Sequence, residues 1–239
     1  MEQILADQVV IITGAGSGLG AAMARALAAA GARCVLAGRR REPLDASRLR
    51  IEIGGLAHVI PCDVCEEGQV ENLIAQTVSA FGRIDILINN AGVFRMAALM
   101  QTTTALFDET LAANLRGVFL LCRAAWPHLQ KSRGQIINVS SLAGTKGYTN
   151  NAAYCASKFG LNGLTEVLAL EGQSHGIRVS AVCPGSVDTP IWDKQAPAAI
   201  RRKMMKPGAT AALVLHLLTA PREVAFGPIV LQNFSDPWE

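Results

Sequence analysis

The sequence predicts an α/β chain folded as one doubly wound domain, with a parallel sheet of about seven strands and helices on both faces. Three observations carry this expectation. Short apolar runs alternate with longer helix-like stretches along the chain. The runs are apolar throughout rather than alternating, as strands buried on both faces of a parallel sheet are. No repeat, low-complexity tract or linker breaks the 239 residues, a length that suits one large α/β domain. Strand–helix alternation then calls for right-handed crossovers, which place helices on both sides of the sheet.

The strand-like runs are QVVIIT (8–13), RCVLA (33–37), AHVIP (57–61), IDILIN (84–89), GQIINVS (134–140), IRVSAVC (177–183) and GPIVLQ (227–232). Between them lie stretches of helical character at 18–30, 41–53, 66–81, 103–131, 152–174 and 208–219. Pro127 falls inside the fourth of these, where a missing N–H and a ring clash predict a kink or a local break.

Composition excludes several classes. Half the residues are hydrophobic and 17% are charged, so the chain can build a substantial core and is not disordered. A net charge of +3 is too small to argue for nucleic acid or an acidic membrane surface. No apolar run has the length of a membrane span, and the N-terminus lacks the pattern of a signal peptide, so a cytoplasmic protein is expected. Six cysteines are scattered in mostly apolar contexts; Cys62 and Cys65 form a C-x-x-C without a second pair or histidines at ligand spacing, so no metal site is expected.

The first strand runs into Gly14, Gly16, Gly18 and Gly20 and then into an alanine-rich helix. Glycines let the chain turn and let a ligand approach the main chain closely. A helix N-terminus offers free N–H groups and a positive dipole end, which suits a pyrophosphate. The spacing is G-x-x-x-G-x-G, with Leu19 where G-x-G-x-x-G would put its last glycine, and no Lys-Ser/Thr follows as a Walker A loop requires. At the end of the second strand, where an acid often binds ribose hydroxyls, Gly38 is followed by Arg39, Arg40 and Arg41. Guanidinium groups without a carboxylate favour a 2′-phosphate, so NADP(H) is expected over NAD(H).

Further polar motifs stand at strand ends, where open parallel sheets bind ligands. They are CDV (62–64), NNAG (89–92), INVSSLAG (137–144) and CPGSVDTP (183–190), joined by Asn114 and by Tyr154 four residues before Lys158. Positions four apart share a helix face, so the Lys158 ammonium is expected within reach of the Tyr154 phenol. In this order the motifs resemble the short-chain dehydrogenase/reductase family from about residue 8 to residue 190.

The resemblance implies a Rossmann fold in a single dinucleotide-binding oxidoreductase domain, 1–239, with 188–208 as a mobile substrate loop. It implies a cofactor site of Gly14, Gly16, Ser17, Gly18, Leu19, Gly20, Arg39, Arg40, Asp63, Val64, Asn90, Ala91, Gly92, Tyr154, Lys158, Pro184, Gly185, Val187 and Thr189. It also implies catalysis by Asn114, Ser141, Tyr154 and Lys158. Tyr154 is the expected general acid/base, its pKa lowered by the ammonium and a positive nicotinamide. Ser141 orients the substrate oxygen, and Asn114 holds a water that relays protons to Lys158.

A small-molecule carbonyl or alcohol is the expected partner, with no nucleic acid and no membrane. Segments 103–131 and 152–174 resemble the family's pairing helices, so a homodimer or homotetramer is expected; the ending GPIVLQNFSDPWE departs from the family's glycine-rich tail and leaves the tetramer open. Val93, Phe94, Leu142, Tyr148, Ile191 and Trp192 are candidate pocket walls, and Arg201, Arg202 and Lys203 read as a solvated helix face. The functional expectation is hydride transfer between NADP(H) and a secondary alcohol or ketone. The alternatives are a non-catalytic dinucleotide-binding regulator or scaffold on the same fold, and an epimerase or dehydratase, for which the chain is too short.

Overall fold

The computed structural model describes residues 3–51 and 57–238. Seven parallel strands form one sheet in the order β3-β2-β1-β4-β5-β6-β7. They are β1 (Val9–Thr13), β2 (Arg33–Gly38), β3 (Ala57–Pro61), β4 (Ile86–Asn89), β5 (Gln135–Val139), β6 (Arg178–Pro184) and β7 (Ile229–Leu231). Every residue of β1 and β5 is buried, as expected of central strands covered on both faces.

Successive side chains of β1 point to opposite faces and enter two separate cores. Val10 and Ile12 pack with α1 (Gly18–Ala29) and α8 (Pro207–Thr219). Val9 and Ile11 pack with α3 (Glu67–Phe81), α5 (Gly117–Ser132) and α6 (Ala152–Gln173). The remaining helices are α2 (Arg41–Leu49), α4 (Thr104–Leu111) and α7 (Ala198–Lys203). The expected helix 41–53 is therefore shorter, and its residues 52–53 lie outside the described part. Among the described residues no helix is long and apolar enough to cross a membrane.

One expectation about an irregular place needs correction. The segment 103–131 is not one helix interrupted at Pro127. Helix α5 runs through Pro127, and the irregularity lies earlier, in a π-turn at Ala112–Arg116 that joins α4 to α5. Pro127 offers no N–H to the Arg123 carbonyl, and both residues lie on the exposed side of the helix. The segment 188–208 holds a short 3₁₀ turn at Pro190–Trp192 and helix α7, and Asp188 pairs with both Arg201 and Lys206.

The strand order reverses between β1 and β4, and open α/β sheets place their ligand crevice outside the carboxyl ends at such a switch point. There the Thr13 hydroxyl accepts the N–H groups of Asn90 and Ala91, each at 3.0 Å, and the Asn90 side chain donates to the Thr13 carbonyl at 2.8 Å. These bonds lock the glycine loop to the NNAG turn.

Candidate active site

A cavity of about 840 Å³ opens at the carboxyl ends of β1, β4, β5 and β6. A smaller one of about 260 Å³ opens beside β1, β2 and β3. They share Gly14, Ser17, Ala91, Gly92 and Val93, so together they form one groove across the sheet edge. The large cavity is lined by Gly18, Leu19, Asn90, Asn114, Ser141, Tyr154, Lys158, Pro184, Gly185, Val187 and Thr189. The small one is lined by Gly16, Arg39, Arg40, Asp63 and Val64. Gly20 alone of the expected residues lines neither: it is buried, and a Cβ there would run into the Gly14 carbonyl oxygen. It serves the close packing of helix and loop.

The groove fits a dinucleotide on its own geometry. Gly14 and Gly18 adopt φ of +65° and +53°, a region that disfavours side chains. A Cβ on Gly14 would stand 2.9 Å from Asn90 Nδ2, and one on Gly18 would stand 3.1 Å from Thr189. The N-terminus of α1 carries neither a side-chain cap bond nor an acid in its first turn, leaving its N–H groups open to an anion. At the small cavity Asp63 accepts the Cys65 N–H at 3.0 Å and closes a turn, while Arg39 and Arg40 are exposed and form no ion pair among the described residues.

The catalytic candidates come from three elements. Ser141 follows β5 and caps a short 3₁₀ turn, its Oγ accepting the Ala143 N–H at 3.1 Å. Tyr154 and Lys158 occupy the first turns of α6. The Lys158 ammonium donates to the Val139 carbonyl at 2.8 Å and lies 5.8 Å from the centre of the Tyr154 ring. Burial pulls that ammonium down to about 8. Burial also pushes the Tyr154 phenol up to about 12, against the nearby Ser141 hydroxyl, which favours its ionised form.

Lys158 is not among the causes of that shift, because its hydrogen bond goes to a backbone carbonyl rather than to the phenol; the expected lowering also calls on a positive nicotinamide. Asn114 sits in the π-turn, a local widening that often marks functional positions. Its Oδ1 accepts the Val93 N–H at 2.8 Å, and its Nδ2 donates to the Val93 carbonyl at 3.0 Å and to Ser157 Oγ at 3.1 Å. It shares the cavity with Lys158 without bonding it.

Residues 8–199 match the short chain dehydrogenase family. The chain belongs to that family. It is 39% identical to an L-fucose dehydrogenase of Oryctolagus cuniculus over 95% of this chain and 80% of the relative. The crystal structure of levodione reductase superposes with a TM-score of 0.87 at 32% identity, covering 95% of this chain and 96% of that one. A 3-ketoacyl-(acyl-carrier-protein) reductase from Brucella melitensis, solved with NADH, matches with a TM-score of 0.89 at 28% identity over 96% and 98% of the two chains.

All six candidate wall residues, Val93, Phe94, Leu142, Tyr148, Ile191 and Trp192, line the large cavity. What sequence reasoning missed is the far wall. Asn233, Asp236 and Trp238 of the tail line the same cavity, as does Lys146. The one available signal was directional: a last strand parallel to the others delivers whatever follows it to the catalytic edge. Among the described residues no cluster of His, Cys, Asp and Glu could hold a metal.

Proposed function

We propose that the protein is an NADP(H)-dependent oxidoreductase that interconverts a secondary alcohol and its ketone, with Tyr154 as general acid/base. The observation that carries this reading is the convergence of Ser141, Tyr154 and buried Lys158 on one cavity, which also meets the glycine loop. When bound, the nicotinamide donates or accepts the hydride. Ser141 holds the substrate oxygen, and Tyr154 gives that oxygen a proton in reduction or takes one from it in oxidation. The Lys158 cation stabilises the phenolate across the short gap, and Asn114 fixes the backbone at Val93 that bounds the pocket.

Exposed Arg39 and Arg40 at the small cavity, with Gly38 in place of an acid, support NADP(H). Relatives at 36–39% identity are L-fucose dehydrogenases, so L-fucose heads the panel of trial substrates. Exposed Phe107, Phe119, Phe159, Val167 and Leu170 on α4, α5 and α6 support pairing of two copies through these helices. The deciding experiment compares the parent with Tyr154→Phe. The variant is expected to bind NADPH unchanged and to lose at least about 100-fold in turnover. Equal rates would remove Tyr154 from the reaction.

A further inference from the structure

The catalytic edge is closed on its outer side by the end of the chain itself. Because β7 pairs parallel to β6, its last residue points the chain toward the carboxyl edge of the sheet, where the active-site cavity lies. The tail is anchored as it leaves. Gly185 N–H donates to the Leu231 carbonyl at 2.7 Å, and Asn233 Oδ1 sits 3.1 Å from where a Cβ on Gly185 would stand. A turn follows in which Asp236 accepts the Trp238 N–H at 2.9 Å, and Pro237 is buried beneath it.

The turn sets the Trp238 ring 5.8 Å from that of Trp192. Trp192 lies 5.0 Å from Phe94, and Phe94 lies 4.7 Å from Tyr154, centre to centre. A file of four rings therefore runs from the proposed acid/base to the tail. Trp238 stays 47% exposed, so much of its surface is not covered by protein.

We propose that the segment Gln232–Trp238 is the specificity-determining wall of the substrate cavity, and that Trp238 with Trp192 holds a saturated, hydroxylated ring of the pyranose type. This rests on the oxidoreductase reading for the reaction but not for the binding. Aromatic faces carry negative charge density, which attracts the polarised C–H groups on a sugar ring face. Asn233, Asp236 and Lys146 line the same cavity and offer donors and acceptors for hydroxyls. A purely apolar substrate would desolvate these groups without pairing them. A ring presents a flat C–H face to the tryptophans, whereas the corresponding open-chain polyol must first be ordered.

The test is calorimetric binding of L-fucose and of its open-chain alditol, L-fucitol, to the NADPH-loaded full chain, alongside Trp238→Ala and Trp238→Phe. The parent is expected to bind L-fucose at least about 10-fold more tightly than L-fucitol. Trp238→Ala should weaken L-fucose about 10-fold and L-fucitol less than 2-fold, while Trp238→Phe keeps most of the preference. NADPH affinity and melting temperature, unchanged in both variants, would show that the fold and cofactor groove persist. No preference for the ring in the parent, or equal effects of Trp238→Ala on both ligands, would overturn the proposal. L-fucose that binds with the expected preference but is not oxidised when NADP+ replaces NADPH would sink the oxidoreductase reading and leave the tail's role standing.

Discussion

The Lys158 ammonium and the Val139 carbonyl stand 2.8 Å apart, joining the first turns of α6 to the last residue of β5. The bond holds a cation inside the protein at 6% exposure, where water would otherwise solvate it. Such a charge is kept for a purpose or neutralised, and burial already draws its pKa down to about 8.

That shift predicts a pH dependence of stability. An unfolded lysine keeps its proton to about 10.4. Between about 8 and that value the unfolded chain binds more protons than the folded one, so Lys158 makes stability rise with pH in this window. The slope is at most about 1.4 kcal/mol per pH unit. Lys158→Met lacks this titration and is expected to gain less stability than the parent between pH 8 and 10 in urea unfolding. Parallel curves for the two proteins over that range would show that Lys158 is not a buried cation.

The arginines at the small cavity predict cofactor choice. Arg39→Ala is expected to weaken NADPH binding about 10- to 100-fold, the range for one charge-assisted hydrogen bond, while NADH affinity changes less than 3-fold. Arg40→Ala should act the same way to a smaller degree if the two share a phosphate. Fluorescence titration with both cofactors reads this directly. Equal losses for NADH and NADPH would make the arginines part of a general nucleotide contact and remove the case for NADP(H).

The glycine loop predicts a contrast between two glycines. At Gly20 a methyl group would meet the Gly14 carbonyl, in a loop that Thr13 and Asn90 already pin by hydrogen bonds. Gly20→Ala is expected to cost about 1–3 kcal/mol and to lower NADPH affinity by more than 10-fold. At Gly68, in the first turn of α3, nothing lies within 4 Å of a Cβ, so Gly68→Ala should leave cofactor binding untouched and raise the melting temperature slightly. A Gly20→Ala protein that binds NADPH as the parent does would mean the loop can widen.

These cases also show what could be read ahead of the structure. The glycine loop, NNAG and Y-x-x-x-K were legible because each encodes local geometry: a turn, a strand end, one face of a helix. The doubly wound order followed from strand–helix alternation. The bond from Lys158 to Val139 was not legible, because it depends on how close α6 packs to the end of β5. Nor was the π-turn at Asn114, since Pro127 was the stronger local signal and its exposure made it harmless. Trp238 was invisible for the same reason: its neighbour Trp192 is distant in sequence and meets it only because β7 adds to β6 in parallel.

Asp188 and Arg201 predict how the wall that bears Trp192 is held. Arg201 reaches Asp188 through both Nε, at 2.9 Å, and Nη2, at 2.8 Å, and also bonds Asp193, while Lys206 adds a contact to Asp188 at 3.1 Å. The Asp188 N–H donates to the Met205 carbonyl at 2.8 Å, so the two ends of the segment are closed on each other and the turn at Pro190–Trp192 is carried between them. Lys206 and Arg201 together hold the Asp188 carboxyl below its usual range. Its stabilisation is therefore fully present above the unfolded carboxylate value of about 3.9 and is lost only as pH falls through the lower folded value. At neutral pH the closure is intact, and Arg201→Ala should open it. Amide exchange over 189–203 is expected to quicken, and substrate KM should rise several-fold while kcat and NADPH affinity change less, because the change moves Trp192 and leaves Tyr154 and Lys158 in place. Unchanged exchange in this segment would show that packing, not the ion pairs, positions Trp192.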